Sequence, residues 1–283
     1  MLEKNINTIL GCDKNYPESK IVVFGAPFDG TTSYRPGARF ASSAIRSESY
    51  SIETYSPYQD KDLEDISVFD AGDLELPYGN PAKVLEKIEK FVLKILKRGK
   101  LPLMIGGEHL VSLGAVRAAL KNYKNLHIIH FDAHSDLRDE YLGETLSHAT
   151  VMRRCWELVG DHKIYQFGIR SGSREEISWG KNHVHTCFFN FDQLDDVVDS
   201  LKDKPVYFTI DLDVLDTSVF PGTGTPEAGG VTFCELLDGI KKVSKLNIVA
   251  LDITELSPPL DPTGASTALA CKLLREILLY VYK

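Results

Sequence analysis

The sequence predicts an α/β fold in which a mostly parallel sheet of about eight strands is covered on both faces by helices. Short runs rich in β-branched residues recur along the chain and alternate with stretches of helical periodicity. These runs are apolar throughout, whereas a strand with one wet face would alternate apolar with polar, so both faces of the sheet must be buried.

The strand candidates are residues 21–25 (IVVFG), 66–70 (ISVFD), 101–105 (LPLMI), 126–132 (LHIIHFD), 163–168 (KIYQFG), 184–189 (VHTCFF), 205–211 (PVYFTID) and 247–252 (NIVALD). The clearest helix is 81–98. There Val84, Ile88, Phe91, Val92, Ile95 and Leu96 recur at helical spacing behind Asn80-Pro81 as cap and first turn, and Gly99 ends it. Thr232-Phe-Cys-Glu235 is a capping-box pattern that opens another helix, and a last one runs from about Gly264 to Tyr280. No internal repeat and no Ser/Pro-rich linker divides the chain, so one domain over residues 1–283 is expected.

Composition narrows the function. With 43% hydrophobic and 25% charged residues the chain is of ordinary globular type. A formal net charge of −8 argues against nucleic acid as partner, because a phosphate backbone needs a Lys/Arg surface, and it suits a cationic ligand better. Cys12, Cys155, Cys187, Cys234 and Cys271 are scattered and contain no CxxC pair, which indicates neither a disulfide framework nor a thiolate zinc site. No run approaches the roughly 20 apolar residues that span a membrane, and the first residues lack a leader pattern. A cytoplasmic protein with reduced thiols and no membrane partner is expected.

The chemistry concentrates at strand ends, where parallel sheets collect functional groups. The fourth strand delivers Asp132-Ala-His134-Ser-Asp136, and extended alternation puts these three side chains on one side. The seventh delivers Asp211-Leu-Asp213. Asp and His at a single strand end commonly just start a turn. Two such clusters on one sheet are different: carboxylates crowded within a few Å repel by about 4 kcal/mol per close pair at an effective dielectric of ~20, so either they are protonated or cations neutralise them. Oxygen-rich ligands with one or two imidazoles favour octahedral ions, Mn²⁺ first. His109, in Ile105-Gly-Gly-Glu-His109 after the third strand, adds an imidazole at the same edge. Two ions there can share a water and bring its pKa toward neutrality. His148, in Ser147-His-Ala-Thr150, reads equally as a proton shuttle or as a helix-start histidine. Glu255, beyond the eighth strand, reads equally as a partner for a planar guanidinium or as a solvated turn acid. The glycine-bearing segments 25–30 and 221–230 lack phosphate-cradling spacing and read as rigid loops over the site.

The segments GGEHLVS, HFDAHSDLRDEYLGETLSHAT, FGIRSG, TIDLDVLD, PGTGTPEAGG and DITELSPP, in this order, resemble the ureohydrolases, the family of arginases and agmatinases, and are most similar to the bacterial agmatinases. The resemblance runs from Gly25 to the final helix. It implies a three-layer α/β/α sandwich with an eight-stranded parallel sheet and two Mn²⁺ per subunit at its carboxyl edge. The metal set would be His109, Asp132, His134, Asp136, Asp211 and Asp213, with Asp132 and Asp211 as bridges and His134 and Asp213 on the second ion. His148 would be the proton shuttle, Glu255 the guanidinium anchor, and Asp132 a further proton carrier.

The implied reaction is hydrolysis of agmatine to urea and putrescine, a step of polyamine biosynthesis, on a small cationic guanidino substrate, by a homo-oligomer (trimer or hexamer). Guanidinobutyrate or arginine is the alternative substrate, and an inactive metal-binding scaffold the alternative class. Where arginases carry an Asn-bearing loop, this chain has Leu137-Arg-Asp-Glu-Tyr-Leu-Gly-Glu144, in which Asp139, Glu140 and Glu144 read either as partners for a second cationic end or as solvated loop acids.

Overall fold

The structure is a computed structural model and describes residues 6–283. Its centre is an eight-stranded sheet: β1 (Ile21–Ala26), β2 (Val68–Asp73), β3 (Leu101–Gly106), β4 (His127–Phe131), β5 (Ile164–Ile169), β6 (His185–Phe188), β7 (Pro205–Asp211) and β8 (Asn247–Thr254). Every pairing in it is parallel. The spatial order is β2-β1-β3-β8-β7-β4-β5-β6. A short antiparallel ribbon, Tyr55–Ser56 with Lys61–Asp62, was not foreseen, because strands of two residues leave no periodicity to read.

Among the described residues eight α-helices connect and cover the strands: α1 (Ala41–Glu48), α2 (Pro81–Leu96), α3 (Ser112–Asn122), α4 (Val151–Val159), α5 (Arg174–His183), α6 (Leu194–Ser200), α7 (Phe233–Val243) and α8 (Ala265–Val281). Their ends follow the capping chemistry. The Asn80 side chain accepts from Lys83 N at 3.0 Å and Pro81 opens α2, while Gly99 takes φ +67° just beyond its end. Thr232 and Glu235 form the reciprocal box that starts α7.

Period two along the strands sorts side chains onto two apolar layers. Ile21 and Val23 of β1 join one core with Ile45 of α1, Leu236 and Ile240 of α7 and Leu274 of α8. Val22 and Phe24 join the other, with Ile88 of α2, Val116 of α3 and Met152 of α4. Burial of both faces is why the strands lack polar alternation. Burying one Ile or Leu contributes about 1.5–3 kcal/mol, so this double core holds the central strands rigidly in place.

The strand order places the carboxyl ends of β3, β8, β7 and β4 side by side. Ligands in open parallel sheets bind beyond such ends. No helix among the described residues is long and apolar enough to cross a membrane.

Candidate metal centre

Each of those four strands contributes. His109 follows β3 in a 3-10 turn, Asp132 follows β4 directly, Asp211 ends β7 with Asp213 in the next turn, and Glu255 follows β8. Asp132, Asp211, Asp213 and His109 are each at most 2% exposed. Local hydrogen bonds set them. Asp211 Oδ1 accepts from Asp213 N at 2.9 Å, and Asp213 Oδ1 accepts from Ala133 N at 3.1 Å, which ties the β7 turn to the β4 turn.

The side chains form two nests. In one, His109 Nδ1 lies 3.0 Å from Asp132 Oδ2, 3.1 Å from Asp136 Oδ2 and 3.5 Å from Asp211 Oδ2. In the other, His134 Nδ1 lies 2.9 Å from Asp213 Oδ2 and 3.6 Å from Asp132 Oδ1. Asp132 thus presents one oxygen to each nest. Asp211 turns Oδ2 to the first nest, while its Oδ1 accepts from the Asp213 amide.

The simple alternation expected for 132, 134 and 136 is not what aligns them. β4 ends at Phe131, and Asp136 takes the left-handed conformation at φ 52°, which swings its carboxylate to His109 instead of alongside His134. Such a backbone costs about a kcal/mol or more in a non-glycine residue and concentrates at functional sites.

Does this donor set fit cations? His109 Nε2 lies 2.9 Å from Thr209 Oγ1, whose hydroxyl donates to Asp252 at 2.5 Å. Thr209 therefore accepts the Nε2 hydrogen, and Nδ1 faces the carboxylates with no hydrogen-bond partner among the described residues. A buried lone pair aimed at three carboxylates is unfavourable unless a positive charge sits between them. Without one, protons fill the role. Burial, reinforced by Asp132, pushes Asp136 up to about 7. Burial and the charges of Asp213 and Asp132 push Asp211 well above the carboxylate range. His109 is driven well above its usual value against the opposing effect of burial, by Asp132 and Asp136. This pattern is that of an acidic cluster made for cations: ligand atoms of His109, Asp132 and Asp136 lie within 4.8 Å of one another, as do those of Asp132, His134 and Asp213.

Above the nests opens a cleft of about 310 Å³ lined by Ser33, Arg138, Tyr141, His148, Glu255 and the cluster itself. Glu255 has φ 64°, and its Oε1 accepts from His109 N at 2.7 Å. Burial and repulsion from Glu108 push it well above the usual carboxylate range, so a cation in the cleft would restore its charge. His148 lies 3.2 Å from Ser33 Oγ through Nε2, and its backbone N donates to Thr31 Oγ1 at 3.1 Å. Burial lowers it to about 4, leaving the ring neutral.

The loop acids fall elsewhere. Asp139, Glu140 and Glu144 are exposed and absent from the cleft wall, and Asp139 pairs with Arg154 at 2.5 Å. Arg138 and Tyr141 of the same loop line the cleft instead, the guanidinium 4.9 Å over the Tyr141 ring and 3.3 Å from Glu176. Sequence reading also passed over His130, fully buried with Nε2 2.7 Å from Asp132 Oδ2. Its place two residues before Asp132, on the same strand face, was the available signal. Burial lowers its pKa, and the ring is neutral.

The arginase family model matches residues 19–280. The chain is 48% identical over 268 residues to the agmatinase of Bacillus subtilis strain 168, covering 93% of this chain and 92% of that one. Its fold superposes on the agmatine ureohydrolase of Thermoplasma volcanium with a TM-score of 0.89 and 35% identity, covering 98% of this chain and 94% of that one. A crystal structure from Clostridium difficile matches with a TM-score of 0.92 and 52% identity, covering 95% and 99% of the two chains. A sheet of this order, a His/Asp cluster able to hold metal ions at its carboxyl edge, and similarity over almost the whole length lead to one conclusion: the chain belongs to the arginase family of metal-dependent hydrolases.

Proposed function

We propose that this protein hydrolyses the guanidino group of agmatine to urea and putrescine, with two Mn²⁺ held by His109, Asp132, His134, Asp136, Asp211 and Asp213. The observation that carries the metal reading is the partnerless Nδ1 of His109 aimed at three carboxylates beneath an open cleft. The oxygen-rich donor set suits an octahedral ion over zinc. Asp132, with an oxygen toward each nest, fits a bridging role. The choice of agmatine is supported by the 48% identity to an agmatinase.

When bound, two divalent cations supply charge neutralisation and a water acidified toward neutral pH. The chain's own residues do the rest. Glu255 pairs with the planar guanidinium and turns its carbon toward the nests, so the reacting atoms meet at high effective concentration. Water oxygen bonds to that carbon, the C–N bond to the alkyl chain breaks, and the departing nitrogen needs a proton. Asp132 receives the proton that the water gives up, and neutral His148, on the cleft wall, relays that proton to the departing nitrogen. The same reading makes the protein a cytoplasmic homo-oligomer, a trimer or hexamer, active in polyamine synthesis.

A second reading, a guanidino acid such as guanidinobutyrate, is favoured by Arg138, which lines the cleft beside its partner Glu176 where none of the loop acids Asp139, Glu140 and Glu144 does. Urea release from agmatine, arginine and guanidinobutyrate, by protein reloaded with Mn²⁺, separates the two. Agmatine is expected to be the preferred substrate, with Asp132→Asn inactive. Preference for guanidinobutyrate would replace the first reading with the second, and no urea from any guanidino compound would end both.

A further inference from the structure

One row of polar side chains crosses the sheet directly beneath the nests. Thr186, Gln166, His130, Thr209 and Asp252 stand in register on the adjacent strands β6, β5, β4, β7 and β8. His130, Gln166, Thr209 and Asp252 are at most 1% exposed, in a sheet whose neighbouring residues are apolar. Buried polar groups of this kind persist when every donor and acceptor is matched.

The hydrogens in this row can be assigned from chemistry. Gln166 Nε2 lies 2.7 Å from the carbonyl oxygen of Ser135, which only accepts, so the amide nitrogen must stand there. Its Oε1 then accepts from Thr186 Oγ1 at 3.1 Å. The same nitrogen lies 3.0 Å from His130 Nδ1 and donates to it, which leaves the ring hydrogen on Nε2. That N–H lies 2.7 Å from Asp132 Oδ2.

We infer that His130 is a positioning residue, held by Gln166 in the Nε2–H tautomer, that donates to Asp132 and fixes the carboxylate shared by the two nests. The inference rests on the metal reading above and adds to it a residue outside the ligand set. Although a ring nitrogen of His130 lies within 4.8 Å of donor atoms of His109, Asp132 and Asp136, Nε2 carries the hydrogen and has no lone pair for an ion, and Nδ1 accepts from Gln166. Its contribution is to stop Asp132 rotating away from one nest, as groups supporting a ligand characteristically do.

The test compares His130→Phe, which keeps a ring but no donor, with His130→Gln, which keeps an N–H near the position of Nε2. Mn²⁺ content is measured by equilibrium dialysis with elemental analysis, and pairing of the ions by the exchange-coupled paramagnetic resonance signal. His130→Phe is expected to bind Mn²⁺ about 10- to 100-fold more weakly and to lose the coupled signal, with His130→Gln restoring both. Wild-type protein that binds a coupled pair while His130→Phe does so equally well overturns this inference alone, as does His130→Gln failing as badly as His130→Phe. Wild-type protein that takes up no Mn²⁺ overturns the metal reading and this inference with it. Should His130→Phe not fold, histidine-selective ¹⁵N resonance of the metal-free wild-type protein decides: the Nε2–H tautomer of His130 supports the assignment, and the Nδ1–H tautomer refutes it.

Discussion

His109 and Thr209 are joined by a contact of 2.9 Å that settles which ring nitrogen faces the cluster. Because Thr209 gives its own hydrogen to Asp252, it accepts from Nε2, and Nδ1 is turned to Asp132, Asp136 and Asp211. The orientation of a donor atom at the end of β3 is thus decided by side chains on β7 and β8. Thr209→Val keeps the shape and removes the acceptor. It should weaken Mn²⁺ binding about 10- to 100-fold, with Thr209→Ser close to wild type. Titration calorimetry of both variants checks this, and unchanged affinity in Thr209→Val would show that the contact does not orient the ring.

Metal uptake should be steeply pH-dependent. In the ion-free protein Asp136 keeps its proton up to about 7, Asp211 lies well above the carboxylate range, and His109 is raised as well. A cation must displace these protons, so binding releases them, and affinity falls as pH drops through about 7. The gain in Tm on adding Mn²⁺ should therefore be larger at about pH 8 than at about pH 6, since stabilisation follows the ratio of ion concentration to Kd. Calorimetry in buffers of different ionisation enthalpy counts the protons. A heat independent of buffer would contradict the prediction.

Under the proposed function Glu255 acts on substrate more than on ions. Glu255→Gln removes the charge that meets the guanidinium and should lower kcat/KM for agmatine by about 10²- to 10³-fold, the loss that follows breaking one buried charged pair. Manganese content measured on the same sample should stay at the wild-type level. A fall in ion content instead would make Glu255 part of the metal site.

His148 touches no other member of the cluster by hydrogen bond, yet lines the cleft, and burial keeps it neutral down to about 4. His148→Asn should lower kcat by about 10²- to 10⁴-fold, the usual contribution of a positioned acid or base, while KM and ion content hold steady. Steady-state kinetics with and without added imidazole test this, rescue by imidazole being the expected sign of a missing proton carrier. An unaffected kcat would leave His148 a helix-start residue.

Much of this protein is local information. The eight strands are legible because a strand buried on both faces is apolar over most of its length, and the caps at Asn80 and Thr232 are legible because their hydrogen bonds close within three residues. The acid pairs at 132–136 and 211–213 are legible for the same reason, being neighbours in the chain. The role first open to the acids of the 139–144 loop was not decidable in that way. Whether that loop turns Arg138 or Asp139 toward the cleft depends on Glu176 and Arg154, which lie far along the chain.

By itself, then, the sequence determined which segments are strands and which of them end in acids, since both follow from the chemistry of a few consecutive residues. Only the tertiary structure decided that β3, β8, β7 and β4 stand side by side, that Asp136 swings to His109 through a left-handed turn, and that His130 is fixed from Gln166. Strand order minimises exposed apolar surface over the whole chain, and the polar row beneath the nests joins residues that meet only after that order is set.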